Sequence, residues 1–153
     1  MDPKEIVRKG YDKVSYAYRA DQEDAKTTAQ YHGWLDELLP LLTRADGARP
    51  AVVDLGCGCG VPAARRLAVS CAVTGVDLSP VQIERARKLV PGARFLCADM
   101  TGLRFSPESL DAVTAFYSII HVPLDEQPGL FRALYEWLRP GGYLMATLGS
   151  EAW

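Results

Sequence analysis

Five short runs rich in apolar and β-branched residues punctuate the chain, and segments with helical spacing separate them. The runs cover residues 51–55 (AVVDL), 71–77 (CAVTGVD), 93–99 (ARFLCAD), 110–118 (LDAVTAFYS) and 143–148 (YLMATL). Strands that alternate with helices form βαβ units, and these require parallel pairing with helices on both faces of the sheet. Right-handed crossovers then lead to an open, doubly wound Rossmann-like α/β sheet of about five strands.

The connecting segments carry their own signals. Residues 61–69 (VPAARRLAV) read as one helix. At the next, Ser79 is a good N-cap, Pro80 suits the first helical position, and Gln82 completes a capping box. A helix over 125–138 places Leu130, Phe131, Leu134, Trp137 and Leu138 on one stripe, and Arg139-Pro140-Gly141-Gly142 stops it. Ahead of the strands, residues 3–19 show Ile6, Val7, Gly10, Tyr11, Val14 and Tyr18 at three-and-four spacing. After a polar stretch at 20–28, a second helix runs to about Leu42 with Trp34, Leu35, Leu38 and Leu41 on one face, Trp34 reading as core.

With 153 residues, 48% apolar and 24% charged, the composition is that of one soluble globular domain. Seventeen basic against 19 acidic residues leave a net charge of -2, no footprint for nucleic acid or anionic lipid. The densest basic stretches, Arg65-Arg66 and Arg85 to Lys88, are short, and the run Glu84 to Lys88 reads as a solvated helix face. The charged start MDPKEIVRKG offers no signal-peptide core, and no apolar run approaches the length of a membrane span. A cytoplasmic protein is expected. Cys57, Cys59, Cys71 and Cys97 include no C-x-x-C pair; Cys57-x-Cys59 could begin a zinc site but lacks a second pair, and reduced apolar thiols fit better, with no metal.

In an open parallel sheet the ligand lies beyond the carboxyl ends of the strands, where the strand order reverses. The first such end reads Asp54-Leu55-Gly56-Cys57-Gly58-Cys59-Gly60, and its glycines let the backbone turn sharply and approach a ligand. Asp77 follows about 20 residues on, at the position of a ribose-hydroxyl acceptor. Ala98-Asp99-Met100 sets a carboxylate beside a soft apolar side chain, suited to an adenine amino group and ring face. Both acids also read as caps of the segments after them.

VVDLGCGCG, VTGVDLSP, FLCADM and LRPGG, in this order and spacing, resemble the class I S-adenosylmethionine-dependent methyltransferases. The resemblance covers roughly residues 50–149, the head YDKVSYAY adds to it, and the small-molecule branch with the ubiquinone and menaquinone methyltransferase relatives is the most similar. It implies that Gly56, Cys57, Gly58 and Gly60 flank the methionine moiety of S-adenosylmethionine, and that Asp54 orders the loop and the amino group. Asp77 would bind the ribose hydroxyls with Leu78 against the adenine, and Asp99 would meet the adenine amino group with Met100 beside it. Phe116 and Tyr117 would line the methionine side. The head pattern makes Tyr11 and Tyr18 candidates for cofactor or substrate contact, with Ser15 where that head usually has alanine; Tyr16 reads as core. Residues 1–45 would form a helical lid over a core at 50–149, all within a single domain spanning 1–153.

His121 is the one candidate base near the strand ends, and a histidine that only packs or hydrogen-bonds within the loop is the slightly favoured reading. After the fourth strand there is no N/D-P-P-Y motif, no Pro-Cys nucleophile, no glutamate pair and no carboxylate trio, which leaves a small organic methyl acceptor. The rival is a nicotinamide-binding domain, since Gly58-Cys59-Gly60-Val61-Pro62-Ala63 satisfies G-x-G-x-x-A; its register is late, and it leaves Asp99 and LRPGG unexplained. The family sheet continues past its fifth strand with two more, whereas this sequence ends at Trp153. A domain lacking those strands, or one that binds S-adenosylmethionine without turnover, is therefore a second expectation, and an exposed fifth-strand edge invites a homodimer.

Overall fold

The computed structural model describes residues 2–19 and 24–149. Part of the polar stretch (20–23) and the last four positions, Trp153 included, lie outside the described residues. Two helices come first, α1 (Pro3–Tyr18) and α2 (Ala25–Leu38), the second extended by a 3-10 turn at Leu39–Leu41. Then follow β1 (Ala51–Leu55), α3 (Ala63–Leu67), β2 (Ala72–Asp77), α4 (Pro80–Leu89), β3 (Arg94–Cys97), β4 (Leu110–Ala115), α5 (Gln127–Trp137) and β5 (Leu138–Ala146). All neighbouring strands pair in parallel, in the order β3-β2-β1-β4-β5. The order reverses between β1 and β4, so their carboxyl ends flank the switch point.

Period-two alternation divides the core between the two faces. Val52, Val73 and Ala112 face a cluster with Leu35, Leu38, Leu67, Ile83 and Phe95. Val53, Val76 and Val113 face a second cluster with Leu130, Leu134 and Trp137. Helix α2 is thus part of the body, with Tyr31, Leu35 and Leu38 buried and Trp34 packed against the first cluster, whereas α1 lies over the strand ends. No helix among the described residues is long and apolar enough to cross a membrane.

Several expectations from periodicity are corrected. Leu42 is buried and Leu41 exposed, because the tighter 3-10 turn advances the phase after Leu38. Tyr16 is 64% exposed rather than core, and the Arg85 guanidinium lies 4.0 Å from its ring centroid. Arg85 itself leaves the expected solvated face: it is 3% exposed and donates to the Ser15 and Arg19 carbonyls at the end of α1. Glu84 and Lys88 do pair in solvent. On α1, Ile6 and Val14 are exposed while Ser15 is buried, so the packed face follows polar rather than apolar spacing.

Two elements differ in extent. Helix α3 covers only 63–67 of the expected 61–69. Strand β5 begins at Leu138, so Arg139-Pro140-Gly141-Gly142 lies within it: Leu110 pairs with Leu138, and Ala112 already with Tyr143. The extra residues bulge out, helped by Gly141 at φ +79°. Asp111 anchors this end of the sheet, accepting from the Ala51 amide at 2.7 Å and pairing with Arg44 and Arg139.

Candidate functional site

The carboxyl ends of β1 to β4 enclose a cavity roofed by α1. Of the residues singled out from sequence, Asp54, Gly56, Cys57, Gly58, Asp77, Leu78, Asp99, Met100, Phe116, Tyr117, His121, Tyr11 and Tyr18 line it. Gly60 does not. It adopts φ +81°, and a Cβ there would meet Val90 at 3.0 Å and Ala86 at 3.5 Å, so its work is to let α4 close against the loop.

The loop after β1 folds back on β2, because the amides of Gly56 and Cys57 both donate to the Val76 carbonyl, at 2.7 and 2.9 Å. Gly56 sits at φ +71°, where a Cβ would come 2.2 Å from the Ser118 Cβ. Ser118 Oγ in turn donates to the Leu55 carbonyl at 2.7 Å, so the segment after β4 is fastened directly onto the loop.

Asp77 holds the next corner. One carboxylate oxygen accepts the Gly58 amide and the other the Ser79 amide, each at 2.9 Å, and burial lifts its carboxyl above the ordinary 3.8. Ser79 caps α4 by accepting from the Gln82 amide, but the capping box is only half made. Its other half is lost because Asp77 takes the Ser79 amide and the Gln82 side chain accepts instead from Ser15 Oγ at 2.7 Å.

Asp54 is the most buried acid in the cavity wall. Its Oδ1 accepts from Thr114 Oγ1 at 2.7 Å, while Oδ2 is buried without a hydrogen-bond partner. Desolvation pushes the carboxyl up to about 7, against the Thr114 bond. Asp99, by contrast, caps the turn at Met100–Gly102 by accepting from the Thr101 amide and hydroxyl, and pairs with Lys4 Nζ at 2.6 Å. Burial raises its carboxyl, but the Lys4 and Thr101 bonds outweigh this and hold it below 3.8.

Lys4 is a feature that hydrophobic periodicity missed. Its ammonium also donates to Thr101 Oγ1 at 2.9 Å and to Glu126, so α1 is tied to the rim at its first turn. Further along, Asp12 accepts from Ser79 Oγ at 2.5 Å, and Ser15 bonds Gln82 and Arg85. The spacing 4, 12, 15 is a helical face written in polar residues.

The remaining wall is aromatic. Phe116 stacks on Trp34 (5.3 Å, 18°) and meets Tyr31 edge-on. Tyr117 adopts φ +54°, a left-handed backbone uncommon outside glycine, with its amide bonded to Thr147 Oγ1. His121 closes a 3-10 turn with Nε2 3.2 Å from the Tyr11 hydroxyl, and Tyr18 packs edge-on to Tyr11. Burial pushes the His121 imidazole below 6.5 and the Tyr11 phenol up to about 12, so at neutral pH both are uncharged. Among the described residues no cluster of His, Cys, Asp and Glu could hold a metal ion.

Known proteins resemble this chain in sequence and in fold. The chain is 34% identical over 99 residues to the sterol 24-C-methyltransferase of Clavispora lusitaniae, an alignment covering 60% of this chain and 26% of that protein. It is 29% identical over 136 residues to a ubiquinone biosynthesis O-methyltransferase of Pseudomonas putida, covering 77% of this chain and 55% of the relative. The chain thus spans about half or less of these curated relatives' length. Among solved structures, Haemonchus contortus phosphoethanolamine N-methyltransferase 1, in complex with phosphoethanolamine and S-adenosylhomocysteine, superposes with a TM-score of 0.78 at 21% identity. That match covers 98% of this chain and 33% of the other, and shows a common fold. A family model described as a methyltransferase domain matches residues 52–142, a stretch from β1 into β5 that holds every strand end of the cavity. This chain belongs to the methyltransferase domain family.

Proposed function

We propose that the cavity binds S-adenosylmethionine and that the chain directs methyl transfer to a small organic acceptor. The observation that carries this reading is Asp54 Oδ2, a buried carboxylate oxygen without a partner in the cavity wall. Leaving such an atom unsatisfied costs about 1–3 kcal/mol or more, and an ammonium group is the complement that removes the cost. Asp77, aimed by two backbone amides, keeps lone pairs for a ribose diol. Leu78, Asp99 and Met100 would frame the adenine, and Gly58, where an added Cβ would stand 3.7 Å from Gln82 Nε2, lines the cavity with bare backbone. Phe116 and Tyr117 would flank the methionine side, with Tyr18 and Tyr11 above it.

Bound there, S-adenosylmethionine supplies a methyl group already activated on a sulfonium and leaves as S-adenosylhomocysteine. The protein's own task is to align the acceptor and exclude water. Helix α1 supplies the roof that does so. His121, uncharged at neutral pH and bonded to Tyr11, is able to take a proton from an acceptor that must lose one. A nicotinamide reading gains nothing, because α3, at Ala63–Leu67, is little more than one turn and aligns too few peptide dipoles to draw a pyrophosphate.

Cytoplasmic location is part of this proposal. So is strand addition by a second copy along β5, whose Tyr143 and Leu144 are partly exposed and which among the described residues pairs only with β4; sedimentation as a monomer would exclude it. Calorimetry with S-adenosylmethionine and S-adenosylhomocysteine tests the central claim, since the wild-type chain should bind both. Binding of neither ends the reading. Asp77→Ala should abolish most of that affinity, and unchanged affinity would refute the ribose assignment.

A further inference from the structure

His121 rides on a short turn that borders open space on two sides. The 3-10 turn at Ile119–His121 carries two bonds of its own, from the His121 amide to the Ser118 carbonyl at 3.0 Å and from the Val122 amide to the Ile119 carbonyl at 2.9 Å. Ile119 is buried and roots the turn in the core. His121 and Val122, however, line the cavity on one side and, with Pro123, Leu124 and Phe131, an outer groove on the other. A strip of chain placed between two open spaces lacks the close packing that fixes a core side chain.

Polar bonds take over that work. Ser118 Oγ fastens the front of the turn to the Leu55 carbonyl at 2.7 Å. At the back, Gln127, the first residue of α5, spends one amide nitrogen on two carbonyls: Nε2 donates to Val122 at 3.0 Å and to Ile119 at 3.3 Å. One carbonyl stands two residues before His121 and the other one residue after it, so a single side chain brackets the backbone of the imidazole. Gln127 is itself anchored, its own amide donating to the Pro123 carbonyl at 3.2 Å and buried Leu130 and Leu134 following on its helix. Ahead of the turn, the left-handed Tyr117 at φ +54° is a conformation that persists only where its surroundings over-determine it.

We propose that Gln127 is a positioning residue for methyl transfer: it clamps the turn so that the His121 imidazole stays facing the cavity and within reach of the Tyr11 hydroxyl. This rests on the part given to His121 above, the removal of a proton from the acceptor. Gln127 lines the outer groove and not the cavity, so it acts through the turn. A neutral amide suits the task. It supplies the donors that two carbonyls of a half-buried turn require, and adds no charge that would bias the protonation of the ring. The rival role is purely structural, since α5 begins without a side-chain cap and Gln127 could serve only to start it.

Proton NMR of the imidazole separates the two. The chain has two histidines, so in a His32→Gln background the ring signals report His121 alone. Q127M keeps the length of the side chain without a donor, Q127A removes it, and Q127N keeps the donors on a shorter stem. With Gln127 present, the signal should titrate below 6.5 and show a cross-peak to the Tyr11 ring, whose centroid lies 5.8 Å away. Q127M and Q127A should lose the cross-peak, and their midpoints should climb toward 6.5 as the ring gains water; Q127N should fall between. A Q127M or Q127A protein that melts several degrees lower yet keeps both signatures would overturn the proposal and leave Gln127 as the start of α5. Saturating S-adenosylhomocysteine should shift the His121 signal when Gln127 is present; binding without a shift would also overturn it, because the clamped ring would then face away from the reacting end. Calorimetry showing no binding of S-adenosylhomocysteine would end the cofactor reading and this role with it, a result distinct from unmoved spectra in the variants.

Discussion

Asp54→Asn replaces a buried carboxylate by a neutral group of the same shape, and it should move stability and binding in opposite directions. Burial lifts this carboxyl to about 7 from an ordinary 3.8. The folded chain therefore holds a proton that the unfolded chain has released between those two values. The gap corresponds to about 4 kcal/mol by which folding favours the protonated form. This contribution is complete below about pH 4 and is lost as pH rises through 7. Asparagine has no such loss, so thermal melts of the free variant should stay level where those of the wild type decline. At pH 8 the variant should be at least as stable.

Cofactor binding should run the other way, because an ammonium group selects the ionised carboxylate. The ionised share of Asp54 grows as pH climbs toward about 7, so wild-type affinity for S-adenosylhomocysteine should rise between pH 5.5 and 7. The variant should lose this slope, and at pH 7.5 should bind about ten- to a hundredfold more weakly. His121, lowered by burial, is present in both proteins, so the difference between them is the quantity to read. Affinity within twofold of wild type, with the slope intact, would refute the assignment of Asp54 as the ammonium acceptor.

Other substitutions probe the frame around the site. Gly56→Ala combines a left-handed backbone with a Cβ overlapping Ser118, and should cost about 2–5 kcal/mol in denaturant unfolding; Ser118→Gly should recover the overlap but not the backbone strain. Lys4→Ala should free the first turn of α1, seen as faster hydrogen exchange at its amides and faster release of bound ligand; unchanged exchange would show that the ion pairs with Asp99 and Glu126 do not hold the roof. Arg85→Leu should lower the melting temperature by several degrees, since it strands the Arg19 carbonyl and removes one of two donors from the Ser15 carbonyl at the end of α1.

The parts legible from sequence were those in which burial and backbone geometry speak through residue type. Strand β1 is a short apolar run closed by glycines, and α4 announces itself through Ser79 and Pro80, so both were found in place. The acids at the strand ends were located because the fold fixes where strands finish. What periodicity could not show was the seam between α1 and the body. An amphipathic reading ranks Ile6 and Val14 above Lys4, Asp12 and Ser15, yet the latter make the contacts. The same blindness put Arg85 in solvent and Tyr16 in the core. A buried polar partner is specified by a residue distant in sequence, Gln82 for Ser15 or Asp99 for Lys4, and no local pattern encodes it.

That polar seam has a bearing on how the roof can be raised. Parting two greasy surfaces exposes them to water at a cost proportional to their area, and leaves them prone to stick to other molecules. Along α1 the groups uncovered would be an ammonium, carboxylates, hydroxyls and an amide, each of which water can solvate. Raising α1 would thus turn largely on the exchange of hydrogen bonds with solvent, and should respond to ionic strength, with Val7 and the Tyr11 ring as the apolar share.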